Sequence, residues 1–453
     1  GEMKAVLGAE WREDSIDTRS DSVAQRATLD GFFFDRPTRG SVNLGELYGE
    51  LYVPIVSDKP FVENFDLELA GRFVNHEFYG ENETYSLKSS YSPVDWLTFR
   101  GTYGTSFRAP NLRELFLEGQ SAFETATDPC EVPATATAFD PVTGDPFYDP
   151  AEDNRDAQII QNCQSEGLDP FDLGLRGGST SFQAVNAGNT GLDPEESTAW
   201  SAGFVFEQPF TDAFDLTLGV NVFEVNIENT VYTPTLQSIL GLCYTADNFP
   251  NSVFCTRRKR DANTGFLTEV DVTPFNISER TSSGLDINAN FATDFTAFGQ
   301  QVNFDLDVEA TKSDEISLLI TIPGEEDDFQ DNVGEIGFPE WRGVVRANVD
   351  VADLSFFWQT RYIGEQEDPT PPAPEFGGVE SVYSVDDYFV SDFSIGYEAD
   401  TFAIRGGIQN VFDEDPPQVD SATTGLVNDR NVPLGVGYDL LGRRIFVSVS
   451  KAF

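Results

Sequence analysis

Histidine and methionine are nearly missing from this chain, with one of each among 453 residues, and cysteine appears only four times. A hydrolytic Ser–His–Asp centre would have to be built on His76, which has no GxSxG elbow to serve. The sequence therefore argues against an enzyme and names no cofactor and no metal. Cations are scarce as well: 28 Lys and Arg stand against 77 Asp and Glu, a net charge of -49. Neutralising nucleic-acid phosphates takes clustered Lys and Arg, so that class of partner is excluded. So acidic a surface suits solubility in salty water or the capture of cationic ligands. No run approaches the roughly 18 apolar residues of a transmembrane helix. That excludes helical spans, but not β-strands, which cross a bilayer in about 9–11 residues. The chain opens at Gly1 without a basic and then apolar leader, so any signal peptide is expected either to have been removed or to lie outside this sequence.

The four cysteines are Cys130, Cys163, Cys243 and Cys255, and four cysteines allow three pairings. Pairing neighbours, Cys130 with Cys163 and Cys243 with Cys255, closes each loop within one segment. The spacings contain no CxxC and no nearby His, which disfavours zinc. Disulfides would place both segments in an oxidising compartment.

What the chain does have is strict alternation of apolar and polar residues. Val302, Phe304, Leu306, Val308 and Ala310 fall on one face of a strand, and Asn303, Asp305, Asp307, Glu309 and Thr311 on the other. Trp341–Asp350 and Leu354–Tyr362 behave alike. About fourteen such strands are expected, near 3–13, 42–56, 64–76, 81–91, 95–108, 196–207, 213–228, 281–293, 300–313, 340–350, 353–364, 386–398, 401–411 and 442–453. In one, Leu216, Leu218, Val220 and Val222 give way to Phe223, Val225 and Ile227, a phase change that predicts a β-bulge near Phe223.

Connections alternate short and long. Short ones lie near 57–63, 92–95, 208–212, 294–299, 351–352 and 399–400. Long ones lie near 14–41, 109–195, 229–280, 314–339, 365–385 and 412–441, with one shorter member at 77–80. The long ones hold the cysteines, an acidic run in 324–335, a Pro-rich stretch in 367–378, and aromatics such as Phe139, Phe147, Tyr148, Tyr244, Phe249 and Tyr383. Short turns on one side and long loops on the other fit a transmembrane antiparallel β-barrel. So do a charged polar face, suited to a wet lumen, and aromatics near strand ends, such as Trp96, Tyr103, Phe107, Trp358 and Tyr362.

Particular motifs then carry a family resemblance. Gly104–Leu115, with Phe107, Arg108, Ala109, Pro110, Glu114 and Leu115, resembles a hallmark of TonB-dependent receptors. Asn189–Ser197, with Pro194, Glu195 and Ser197, resembles that family's entry into the next strand. Asp215–Asn229, Gly284-Leu285-Asp286, Gln409–Asp413 with Asn410 and Phe412, and the final Gly442–Phe453 are similar in order and spacing. The terminal aromatic, Phe453, is similar to the signal read by the barrel-assembly machinery, although Lys451 stands where an apolar residue is usual.

The resemblance implies a barrel of twenty-two strands filled by a plug domain, of which residues 1–453 would be the C-terminal fourteen strands. The plug and the N-terminal box that contacts the TonB complex would lie outside this sequence. It implies an outer-membrane location in a Gram-negative bacterium, with long loops extracellular and the C-terminus periplasmic. Its implied activity is energy-coupled import of a scarce small molecule of the siderophore, cobalamin, haem or glycan class, with a passive porin as the alternative. Candidate ligand contacts are Arg108 at a strand end, Tyr48 and Tyr52 beside Glu46 and Glu50 on one polar face, and the loop residues Tyr148 and Tyr244. For Arg108 the alternative is a structural pairing with carboxylates.

Overall fold

The computed structural model describes residues 1–26, 36–175, 181–321, 327–368, 382–420, 431–435 and 437–451. Fourteen long strands pair in one antiparallel sheet in unbroken chain order. They are β1 (Lys4–Thr18), β2 (Thr38–Lys59), β3 (Val62–His76), β4 (Gly80–Val94), β5 (Leu97–Arg108), β6 (Glu195–Glu207), β7 (Asp215–Tyr232), β8 (Phe275–Ala297), β9 (Gln300–Ile320), β10 (Trp341–Val351), β11 (Leu354–Ile363), β12 (Tyr388–Ala399), β13 (Phe402–Gln409) and β14 (Arg444–Lys451). A short strand, Asp328–Asp331, folds back on the end of β9. This is the barrel wall that the alternation implies. Phe453 and most of the Pro-rich stretch lie outside the described residues.

The two faces of the wall have opposite chemistry. Residues directly opposite each other in an antiparallel pair share a face. Across the sheet, Phe65, Tyr91, Phe99, Phe204, Val220, Ile287 and Ala310 form one continuous apolar row. This face is open: Leu7 is 89% exposed and Leu47 60%. Apolar side chains so uncovered belong against lipid. Aromatic rings gather toward the short turns, with Trp96 packed on Phe206 and Phe210, and Phe291 on Phe214 and Phe304. A second group lies toward the long loops, with Tyr85 beside Tyr103 and Tyr362 beside Phe389. Two such belts are what membrane interfaces select.

The opposite face is laced with polar contacts. Lys88 pairs with Glu68, Asn290 donates to Asp307 at 2.9 Å, and Arg346 bridges Glu309 at 2.7 Å and Gln359 at 3.2 Å. The short connections are tight. Phe298 (φ 53°) and Gly299 (φ 77°) take the left-handed conformations that suit a two-residue hairpin between right-twisted strands.

Two expectations need correcting. There is no bulge near Phe223: β7 pairs with β6 without interruption, Phe223 opposite Ser201. The pleat continues and the chemistry changes sides. Beyond Val222 the outward positions are Glu224 and Asn226, while Phe223, Val225 and Ile227 turn inward. The outward face has left the lipid there, so the period-two signal flips with no backbone irregularity. Register shifts lie instead between Ile227 and Val231 and between Ser283 and Gly284. For the same reason strands run further on the long-loop side than alternation suggested, β9 to Ile320 rather than 313 and β2 from Thr38 rather than 42. Above the lipid, pairing continues without a greasy face to announce it.

The two longest connections fold together into a lobe, here called the cap. Segments Arg258–Arg260, Leu267–Asp271, Ser181–Asn186 and Gln120–Thr125 form a four-stranded sheet that mixes both loops. Helices Ala157–Ser165 and Leu236–Tyr244 pack beside it. Ile239, Leu240, Phe254 and Phe182 form its core, which runs into Phe275 of β8 and Ile320 of β9. The disulfides are the neighbour pairs, Cys130–Cys163 and Cys243–Cys255, and all four sulfurs sit in that core.

Candidate functional site

Pro110 has no N–H to donate and ends the ladder of β5. Asn111 then opens a one-turn helix, Leu112–Phe116. Its side chain accepts from the backbone of Arg113 and Glu114, and Glu114 returns a carboxylate to the Asn111 N–H at 2.6 Å. Phe116 crosses to β2 and lies against Gly40; a Cβ there would come within 2.2 Å of the ring. This turn of helix roofs the long-loop end of the inner face.

Beneath it lies a cleft of ≈ 900 Å³, lined by residues that include Arg12, Arg72, His76, Arg108, Arg113 and Glu46. Four guanidinium groups around one cleft stand out in a chain this acidic. Arg12 pairs with Asp14 at 3.0 Å and Arg72 with Glu46 at 3.2 Å. Arg108 grips both oxygens of Glu195 and reaches Glu114 at 3.1 Å. Among the described residues no partner reaches the Arg113 guanidinium. His76 is buried, stacks on Tyr79 at 4.8 Å between ring centres, and accepts the Phe78 N–H at Nδ1. Its proton then belongs on Nε2.

The motif residues converge on one clasp. Arg108 is the last residue before the loop 109–194 and Glu195 the first after it, and they are partners in register. Glu195 also accepts the Val231 N–H at 2.8 Å, next to the start of the second cap loop. Ser197 and Ser106 share a hydrogen bond at 2.6 Å one step below. Leu115 is the buried residue of the helix itself. One cation and two carboxylates carry a net negative charge, so this cluster fastens the neck of the cap; it does not by itself attract an anion. Asn410 makes a second clamp. Fully buried at φ 52°, it both donates to and accepts from the Glu414 backbone at 2.8 Å. Phe412 is exposed and packs on Trp358 at 6.0 Å.

The tyrosines scatter. Tyr48 faces inward over Gly8, with the Arg72 guanidinium 5.4 Å from its ring centre. Tyr52 lies further along the same face, opposite Lys4 and Glu68. Tyr148 donates to Asp153 at 2.9 Å and packs on Phe171. Tyr244 has no exposed surface at all. Its hydroxyl donates to Glu166 at 2.8 Å and accepts from Arg260, and burial pushes its pKa up. That position leaves it no face to offer a ligand.

One feature went unread in the sequence, the run Arg257-Arg258-Lys259-Arg260. Four successive cations in so acidic a chain were the available signal. Each is consumed inside the cap. Arg257 lies over the Phe275 ring at 4.1 Å, Arg258 pairs with Glu166, Lys259 with Glu269, and Arg260 with Asp128 at 2.6 Å. Burial works against the Arg260 charge, but the Asp128 carboxylate outweighs it and lifts the pKa above its ordinary value. Near by, the Arg155 fork holds the Asp153 carboxyl down to about 2, again against burial.

A family model described as the β-barrel of TonB dependent receptor-like proteins matches residues 2–411. No curated protein sequence matches. Among solved structures, the chain is similar to a mutant of the ferric enterobactin receptor PfeA of Pseudomonas aeruginosa, crystallised with enterobactin, at 14% identity and a TM-score of 0.58. It is similar to the siderophore receptor PirA of Acinetobacter baumannii at 16% and 0.56. It is also similar to a double mutant of the Serratia marcescens hemophore receptor HasR, solved with HasA and heme, at 14% and 0.50. All of this chain is covered in each case, against 52%, 52% and 58% of those chains, so it spans little more than half of their length. Identities this low show the fold.

Proposed function

We propose that this chain, which belongs to the TonB-dependent receptor β-barrel family, forms the wall of an outer-membrane importer that takes up a scarce ligand with energy delivered through TonB. One observation carries the reading: the family match over residues 2–411 falls on a wall whose apolar side is uncovered and whose inner side is charged. The family consists of receptors and transporters, not enzymes. In this reading the long loops face outward and the C-terminus faces the periplasm. A plug fills the lumen, the TonB complex engages a box ahead of it, and the barrel-assembly machinery inserts the whole. Arg113, whose guanidinium has no partner among the described residues and lines the cleft, favours an anionic member of the siderophore, haem, cobalamin and glycan classes as its first contact.

The test is uptake by the full-length receptor in cells with and without a functional TonB system. Import that needs the proton gradient and TonB supports the reading. A steady, ungated conductance of the purified receptor in planar bilayers would identify a porin instead. Replacing Arg113 with Gln should weaken an anionic ligand several-fold, since one charge-assisted contact contributes about 1.5–3 kcal/mol before screening.

A further inference from the structure

The cap contains the same turn twice. Asp140-Pro-Val-Thr-Gly-Asp145 and Asp261-Ala-Asn-Thr-Gly-Phe266 share the pattern Asp-x-x-Thr-Gly. Their geometry matches. The Asp140 carboxylate accepts the N–H groups of Val142 and Thr143 at 2.8 and 2.9 Å; Asp261 accepts those of Asn263 and Thr264 at 3.0 and 2.9 Å. Gly144 (φ 75°) and Gly265 (φ 77°) close the turns in a conformation that other residues resist. Those hydrogen bonds hold both Asp carboxyls below their usual range.

What differs is where the apolar residues go. Beside the second turn, Leu267 is buried in the cap core. The first turn tips a hairpin, Thr137–Phe139 with Pro146–Tyr148, whose base is secured. Ala136 is fully buried, the Asp149 N–H reaches its carbonyl at 2.8 Å, and Tyr148 is held by Asp153 and Phe171. Beyond that base the hairpin exposes Val142 by 90%, Phe139 by 64% and Phe147 by 48%. Phe139 lies opposite Pro146 and Phe147 opposite Ala138, so the two rings flank opposite faces of the hairpin with Val142 at its tip. A partner that clasps this locked turn from both sides covers all three at little cost in entropy.

The charge around them says what docks. Residues 114–154 contain ten Asp and Glu and no Lys or Arg. Glu114, Asp128 and Asp153 are matched by Arg108, Arg260 and Arg155 from outside that stretch. The hairpin's own Asp145 and Asp149 have no cation beside them in the sequence from 137 to 149. A second copy of this chain, or an anionic lipid surface, would be repelled. We propose that the hairpin Thr137–Tyr148 is a docking point for a basic, partly apolar polypeptide, which covers Phe139, Val142 and Phe147 and meets Asp145 and Asp149. This goes beyond import and rests on the reading that the long loops face outward.

The experiment uses the full-length receptor in detergent and a synthetic peptide of alternating lysine and leucine, with a glutamate–leucine peptide as control. Saturable binding of the cationic peptide is expected. It should fall at least tenfold in the F139S/V142S/F147S variant, fall less in D145N/D149N, and weaken with salt. Equal binding to parent and triple variant, preference for the acidic peptide, preference for lipid vesicles, or self-association through this hairpin would each overturn the proposal. A V142C variant on intact cells, labelled with a membrane-impermeant maleimide, separates the two readings. Labelling without peptide binding sinks the docking site alone, whereas no labelling on a correctly folded receptor sinks the outward orientation.

Discussion

The wall and the cap solve opposite problems with one chain. The wall turns its apolar residues outward, leaves them uncovered, and keeps its charges in a polar ladder on the inside. The cap does what a water-soluble domain does. It buries Ile239, Leu240, Phe254 and Phe182, shows acids to solvent, and closes its two loops with disulfides because so small a core needs staples. The boundary between them is visible on a single strand. Along β7 the apolar side switches from outward at Val222 to inward at Phe223 while the pairing stays regular. Lipid dictates the pattern below that point and the cap dictates it above.

If the cap is a unit with its own core, damage there should leave the wall intact. The largest effect is expected from Asp128→Ala. It removes the nearest counter-charge of Arg260, nine-tenths buried, leaving Glu166 at 3.7 Å, and also removes the acceptor of the buried Cys130 N–H. Together these losses should cost the cap about 3–5 kcal/mol. Hydrogen exchange of the detergent-folded protein should rise across the cap while the wall amides stay protected. Loss of protection in β10–β13 as well would show that the two regions fold as one. Opening the disulfides ranks next. Cys130→Ser with Cys163→Ser should cost about 2–4 kcal/mol, and Cys243→Ser with Cys255→Ser somewhat less because the enclosed loop is shorter, 12 residues against 33. Protease resistance of the cap with and without reductant measures both.

The wall is probed by a pair of neighbours. Leu69 sits mid-strand on the outward face, opposite Leu51 and Leu87, and Ala70 points inward. Leu69→Arg should destabilise the protein by about 2–4 kcal/mol in lipid vesicles. Ala70→Arg should lie within about 0.5 kcal/mol, as a solvated position does. Equal penalties in denaturant titrations would mean that both faces meet the same medium, and the lipid assignment would fail.

How much of this was legible follows from the same contrast. Period two writes the wall into the sequence, so all fourteen strands, their order and the lopsided loops could be read, and the neighbour cysteine pairing was among the options. The motif residues Arg108, Glu114 and Glu195 could be read as special. That one guanidinium joins both ends of an excursion of more than eighty residues could not, since the contact depends on the register of β5 with β6. The cap was opaque. Its strands are three to six residues long, its sheet mixes two loops, and one of its pairings is parallel, Glu269–Asp271 along Gln183–Val185. No periodic pattern survives in pieces that short. Tyr244 shows the consequence: as a loop aromatic it suggested a ligand contact, and only the fold reveals it as the buried centre of the cap.

The smallest effect expected is one of pH, and it too should divide the regions. Asp153 titrates at about 2 in the folded cap against 3.8 for the free side chain, because Arg155 forks onto it. A folded-state value below the unfolded one gives stability that is present above about pH 4 and is lost as pH falls toward 2. With solvent screening, the contribution is about 1 kcal/mol. Between pH 6 and 4 the cap of Asp153→Asn should therefore unfold more easily than the parent, and near pH 2 the difference should vanish. Wall unfolding should not distinguish the two proteins at any pH. A constant gap down to pH 2 would mean that the Asn removes packing or a neutral hydrogen bond, not a charge, and the ion pair would lose its place as the device that pins residues 153–155 to the carbonyls of Glu131 and Pro170.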